Sequence, residues 1–390
     1  MTPHQLYLGY WYQRTSLHLS EVYDFLRDGT SPLALDKTKL KQLQQDLTLK
    51  TVTYKLDVLE SLVIETTSGI AITFFEDGLV VMKLSFHELG EAKEKLSDYY
   101  EKKFAPAIQY LFSLGAPVPK ELAKVQPIYP YFLVTKKASR ETVDKLLKEL
   151  GEEEYFELQD KAVAIYRGDT HFVLNEEESF EQIESLIGML IFFSEFKAQL
   201  HRYLNLHRII WEKIERIKEQ GSISGRDIER QRQELEGYKK TIELIDGRIE
   251  QMGLYISTRA TIVKESGWEK VLTKILAFRY ENLQHTLDYV KSLWKMTKQY
   301  VDAGIQIFNE LNQTSTKNAV TALTIISSVG IVGVILAHLE KIAYPNISFV
   351  GFFYLVLLLA IAFLINRLVQ YIFQSMRYKI TEDDFKKTLD

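Results

Sequence analysis

Few side chains in this 390-residue chain are spaced to do chemistry, and the best set lies near its C-terminal end. Lys317, Val320, Thr321, Thr324, Ser328, Ile331 and Val334 fall at helical spacing on one face of a helix. In that row Thr324 and Ser328 could offer hydroxyl oxygens to water or an ion, with Ile331 and Val334 as an apolar constriction beyond them. Together with Ser327, Gly330 and Gly333, these small and hydroxylated residues also suit close helix packing. Both readings stay open.

Other chemistry is mostly excluded. There is no cysteine, hence no disulfide, thiolate nucleophile or cysteine metal site. No phosphate loop, GxGxxG or HExxH occurs, and Gly221-Ser-Ile-Ser-Gly225 has isoleucine where a serine hydrolase needs its nucleophile. That segment reads as a helix-breaking turn. The eight histidines are scattered; His201 and His207 stand six apart, off a common helical face. The clusters Glu152–Glu154 and Glu176–Glu178 could hold a regulatory divalent cation through oxygen ligands, against the plainer reading of solvated surface. Two glycosylation sequons, at Asn312 and Asn346, are patterns only. No enzymatic activity is expected, and metal ligands are unknown. The net charge of −4 lacks the basic stripe that nucleic-acid binding requires.

The elements that must carry the hydroxyl row are two uncharged stretches. Ala319–Ala337 and Ile347–Ile365 each run 19 residues without a charge, close to the roughly 20 that a helix needs to cross a bilayer. Between them lie only nine residues, His338–Asn346, with Pro345 among them. So short a link predicts an antiparallel transmembrane hairpin. Lys291, Lys295, Lys298 and Lys317 precede the first stretch and Arg367, Arg377 and Lys379 follow the second, against Lys341 in the loop. The positive-inside rule then puts both termini in the cytoplasm of a multi-pass inner-membrane protein. The opening residues show no basic region followed by an apolar core, so no signal peptide is expected.

Ahead of the membrane the periodicity is helical. Leu186–Phe193 is the most apolar run outside the two stretches, too short to span and read as a buried core helix. Ile228, Leu235, Ile242, Ile249, Ile256 and Val263 stand seven apart, with Tyr238, Ile245 and Met252 on the next row, which is a coiled-coil seam. A third helix, from Trp268, repeats the pattern through Leu276, Leu283, Val290, Thr297, Gly304 and Leu311. Read unbroken to Ala337 it would be ~105 Å long at 1.5 Å per residue. A seam of that length predicts packing on its neighbours and on further copies of the chain.

Residues 1 to about 175 mix strand and helix signals. Leu62–Phe74 and Leu79–Phe86 around Asp77-Gly78 read as a hairpin, as do Ala162–Tyr166 and His171–Leu174; helices are expected over Glu91–Leu114 and Arg140–Leu150. The fold expected is an α+β cytoplasmic domain, 1–175, then antiparallel long helices over 176–266 and a stalk helix over 267–318. After these come a first span over 319–337, an external loop over 338–346, a second span over 347–366 and a cytoplasmic tail over 367–390.

That order, with the segment Asn312–Ile326 (NQTSTKNAVTALTII) leading into the first span, resembles the CorA family of divalent-cation channels over about the last 210 residues. The resemblance implies a funnel-shaped homopentamer whose first spans line an axial pore and whose second spans face lipid. The family's Gly-Met-Asn signature is missing. Its place falls on Lys341-Ile342-Ala343, and the outer mouth would be Glu340, Lys341, Tyr344 and Asn346. A lysine ring there repels Mg²⁺, so the resemblance implies an ion path other than ordinary magnesium import, gated by the cytoplasmic domain. This chain also resembles some CorA-like proteins without the signature that are encoded beside type III CRISPR systems, which implies a membrane effector of antiviral defence opened by a nucleotide messenger. The ligand is therefore unknown, with a divalent cation and a nucleotide as candidates. A third reading is a membrane-anchored coiled-coil scaffold. The partners expected are the lipid bilayer and further copies of the chain, with no nucleic acid.

Overall fold

The computed structural model describes residues 4–12, 18–112, 131–151, 156–159, 163–168, 171–176, 180–219, 221–276, 280–339 and 349–379. By its internal contacts the chain divides into two compact units: Met1–Asn205 with Ile245–Lys291, and Leu206–Leu244 with Ser292–Asp390.

The first unit is built on one nine-stranded sheet in the order β2-β3-β4-β5-β1-β6-β9-β8-β7. Its strands are β1 (His4–Trp11), β2 (Leu49–Lys55), β3 (Ser61–Thr66), β4 (Ala71–Phe75), β5 (Leu79–Phe86), β6 (Tyr131–Lys136), β7 (Phe156–Gln159), β8 (Val163–Arg167) and β9 (His171–Glu176). All neighbours run antiparallel except β6 and β9, which pair in parallel. The central strand β1 is buried on both faces: Leu6, Tyr7 and Leu8 are all at most 1% exposed. That continuous burial is why it lacks the alternation that marks half-buried strands.

The two faces have different covers. Leu6, Leu8, Ile64, Ile72, Phe74, Met82 and Leu84 form a core with α1 (Leu19–Asp28), α2 (Lys37–Asp46), α3 (Leu89–Tyr99) and α4 (Ala105–Phe112). Local chemistry starts these helices. Asp36 accepts from the Thr38 and Lys39 amides at the head of α2, and His18 and Glu21 form a capping box on α1. A π-helical turn, Tyr100–Phe104, joins α3 to α4. Pro106 follows it, and the wider turn spares the clash a proline makes with the carbonyl four residues back. The helix expected over Glu91–Leu114 is thus described as three segments, ending at Phe112.

On the opposite face lies the start of α6 (Phe180–Glu219), which follows α5 (Arg140–Glu149). Its apolar run Leu186–Phe193 is buried as expected. Trp11 packs on Phe192 and Phe196, with ring centroids 5.1 and 5.6 Å apart. Gly9 makes this approach possible: a Cβ there would stand 2.3 Å from the Ile191 methyl.

The hairpin around Asp77-Gly78 is present as β4–β5, with Gly78 at φ +87°. Its expected first arm, Leu62–Phe74, is not one strand. Thr66 folds the chain back by accepting from the Ile70 amide at 2.9 Å, and Gly69 takes φ +82°; β3 and β4 then pair with each other. The hairpin expected over Ala162–Leu174 is β8–β9, and helix Arg140–Leu150 is α5.

Two further long helices follow, α7 (Gly225–Ser266) and, after α8 (Glu269–Leu276), α9 (Tyr280–Leu339). All six residues of the α7 seam, Ile228 to Val263, are at most 2% exposed. Of the stalk helix expected from Trp268, α8 and α9 are described, with residues 277–279 between them outside the described set. α9 still has 60 residues, ~90 Å at 1.5 Å per residue. Gly221–Gly225 is more than the expected turn: Ser222–Ser224 forms β10, paired antiparallel with β11 (Arg377–Lys379), just past α10 (Phe349–Ser375).

Arg259 of α7 reaches the β4–β5 turn, where Asp77 receives its Nε at 2.6 Å and an Nη at 3.0 Å. Both side chains are buried, at 3% and 0% exposure. Replacing one partner strands a buried charge, so Arg259→Met should cost about 3–5 kcal/mol. The double variant Arg259→Met/Asp77→Leu should recover most of that loss. Thermal unfolding measures both, and an unchanged melting temperature for the single variant would refute the assignment.

Candidate functional site

The hydroxyl row sits on α9 beyond the end of its buried seam. Leu283, Leu287, Val290, Trp294, Thr297, Val301 and Phe308 are all buried. From Asn312 onward the helix is mostly exposed; Val320, Thr321, Thr324 and Ser328 all face outward. Lys317, Val320 and Thr321 line one shallow hollow of about 410 Å³ with Asn312, Gln313 and Thr316. Further along, each hydroxyl donates to the carbonyl one turn back: Thr321 to Lys317 at 2.8 Å, Thr324 to Val320 at 2.9 Å and Ser328 to Thr324 at 2.8 Å. This back-bonding uses the proton and leaves oxygen lone pairs turned outward. Ile331 and Val334 belong to the same helix, but their side chains lie outside the described residues.

The outer-mouth residues Glu340, Lys341, Tyr344 and Asn346 lie outside the described residues, as do Glu152–Glu154, Glu177 and Glu178. The backbone is helical over Ala319–Ala337, within α9, and over residues 349–365 of the second stretch, within α10. Among the described residues no helix is long and apolar enough to cross a membrane. Residues 331–337 of the first stretch and 347–355 of the second have side chains outside that set. No group of three or more acidic or histidine side chains suited to a metal occurs among the described residues. His207 packs against Trp211 and Trp294 at 5.9 Å from each, and burial lowers its pKa, as for a histidine packed in a core.

Sequence reasoning missed a better-formed site in the first unit. Over β3–β5 the helix-covered face of the sheet is left partly open, as a cleft of about 630 Å³ bordered by α6 and α7. Strand alternation turns Val63, Thr73, Val81 and Lys83 toward it, and Glu184, Met189 and Arg259 come from the helices. Lys83 Nζ lies 2.5 Å from Glu184 Oε1, and the buried Tyr7 hydroxyl donates to the same oxygen at 3.2 Å. Lys55 and Asp57 pair at its rim at 3.3 Å. The cleft therefore presents both charge signs around an apolar floor, a composition suited to a small amphipathic ligand. Lys83, a charge inside the strand pattern of β5, was its only trace in the sequence.

Glu195 is the other missed group, a carboxyl on α6 within the apolar core. It is 6% exposed, and its nearest cation, Arg202, stands 3.9 Å away. Burial raises its pKa to about 7, and Arg202 offsets this in part.

No family model matches the chain, and no curated protein does. Among solved structures, the complete structure of the CorA magnesium transporter from Methanocaldococcus jannaschii is similar at 10% identity, over 63% of this chain and 88% of that chain, with a TM-score of 0.22. A likeness at that score carries no argument, so no family is assigned. What the fold itself defines is a mixed α/β sheet unit followed by long helices.

A carboxyl whose folded pKa is raised binds its proton more tightly in the folded state. Stability should therefore fall as pH climbs from the ordinary Glu value to about 7, then level off. The amplitude is about 3 kcal/mol. Glu195→Gln should flatten that slope and raise the melting temperature at pH 8; a pH profile unchanged by the substitution would refute the role of Glu195.

Proposed function

We propose that this chain is an oligomeric membrane protein in which the outward face of α9 lines an ion path and the first unit controls its opening. One observation carries the reading: the apolar surface left uncovered on α9 and α10. Val320 is 56% exposed, Ile325 60%, Phe363 61% and Leu364 65%. A surface this apolar needs lipid or further copies of the chain over it. The lack of charge across Ala319–Ala337 and Ile347–Ile365 favours lipid for much of it. The segment Asn312–Ile326 supports the CorA-like arrangement by its residues.

Within that arrangement the first span faces the axis. Its hydroxyls offer lone pairs to a hydrated ion, with Lys317 at the inner end. Lysines at 317 and 341 oppose divalent cations by their charge, so ordinary magnesium import is not proposed. A second reading, favoured by the cleft over β3–β5, makes the same scaffold an effector that answers a small messenger. A nucleotide messenger, with a part in antiviral defence, is the form the sequence resemblance gives it.

Reconstituted in liposomes, the protein should pass small ions, and Lys317→Glu should shift permeation toward cations by about tenfold. The expected assembly is a homo-oligomer by native mass spectrometry. Absence of flux under every ion gradient, with and without cell-extract small molecules, would overturn the path and leave the membrane-anchored scaffold.

A further inference from the structure

The turn between α6 and α7 holds the chain end that leaves α10. Ser222, Ile223 and Ser224 pair with Lys379, Tyr378 and Arg377. The first residue of α7 extends the contact, since the Gly225 amide donates to the Met376 carbonyl at 3.1 Å. Met376 itself still donates to Ile372 of α10 at 3.0 Å, so no slack separates the last turn of α10 from the ladder. Ile223 is buried at 2% exposure. On the neighbouring turn the Arg226 guanidinium lies 4.7 Å from the ring centre of Tyr371, a cation–π contact. A three-residue ladder is marginal alone. Here it is backed on both strands by the helices it adjoins, so it joins the head of α7 to the foot of α10 through backbone bonds.

We propose that β10–β11 is a coupling latch: it makes the α6–α7 turn and the C-terminal end of α10 move as one piece, so that a displacement of the long helices is passed to the second apolar helix. The effect on conduction rests on the ion-path reading above; the joint itself does not.

The chain has no cysteine, so introduced pairs are its only thiols. Facing residues of an antiparallel ladder lie about 4.5–5.5 Å apart at Cα, within disulfide range. Under mild oxidation Ser222→Cys/Lys379→Cys should lose both thiols to maleimide labelling as a monomer. Ser222→Cys/Arg367→Cys, with the second thiol on α10 well before the ladder, should keep them. Retained thiols, or a disulfide-linked dimer, would overturn an intrachain joint. In liposomes the oxidised pair should conduct as the parent does. Tyr378→Pro, which a paired strand does not tolerate, should cut flux about tenfold. Combining Tyr378→Pro with the oxidised cysteine pair should restore it, and reductant should remove it again. A Tyr378→Pro protein that conducts normally, or fails to be rescued by the disulfide, would sink the coupling role. A silent parent protein would instead sink the ion-path reading, and thiol protection would still decide the joint.

Discussion

The first unit depends on one buried charge pair. Asp77 sits in the β4–β5 turn, where its carboxylate accepts from the Leu79 amide and from the guanidinium of Arg259, while its carbonyl accepts from Trp11 Nε1 at 2.8 Å. Three elements distant in sequence (β1, the hairpin and α7) thus meet at one residue. Removing two charges from water is costly, and only near-complete hydrogen bonding offsets it. Here the guanidinium also lies against the rings of Phe75 and Phe192, at 4.8 and 5.3 Å, so its remaining surface is covered by aromatic faces rather than left bare. Such a pair adds modest net stability but strong specificity: a register slip in β4–β5 or a turn of α7 would bury an unpaired charge. The cleft over β3–β5 borders this joint and includes Arg259 in its wall. A ligand there would press on the residue that locates α7 on the sheet.

A second constraint is the change of character along α9. Up to Phe308 the seam side of the helix is apolar and buried, as a seven-residue repeat requires. Lys317 is the last charge before an outward surface of Val320, Ile325 and Ile326. One helix therefore carries two kinds of face in series, without a break from Tyr280 to Leu339.

Much of this was legible in the sequence, for specific physical reasons. The α7 seam repeats every seven residues with β-branched or leucine side chains, and a period held across six such positions marks a helix packed along its whole length. The Asp77-Gly78 turn was visible because its positive φ needs glycine. What stayed hidden was non-local. β1 carries no alternation because both its faces are covered, and β2 and β7 are short or edge strands with weak pattern. Thr66 broke an apparent strand through a side-chain hydrogen bond that no periodicity encodes. The cleft left no more than Lys83 as a trace because its lining comes from strands and helices about two hundred positions apart. Glu195 was readable in principle, a carboxyl just past the apolar run Leu186–Phe193, and its oddity becomes meaningful once that part of α6 is known to be buried. β10 and β11 are three residues each, below what pattern can detect.

The hydroxyl row illustrates how geometry limits function. A Ser or Thr in an apolar helix that donates to the carbonyl one turn back has no proton left to lose to its surroundings, so it can lie against lipid, a neighbouring helix or water with little penalty. Thr321, Thr324 and Ser328 all adopt this arrangement, and the row is accordingly compatible with packing or with a path when seen in one chain. Copies around an axis separate the two. If these faces pack directly, each hydroxyl meets a side chain of the next subunit and the row is dry. If they face a lumen, the outward lone pairs form rings of acceptors that can replace part of an ion's hydration shell. Lys317 weighs toward the second arrangement. A lysine beside the hollow at Thr316 and Thr321 is costly to enclose without a counter-charge, and among the described residues no carboxylate lines that hollow. Water at the axis would solvate the ammonium where a dry helix contact would not.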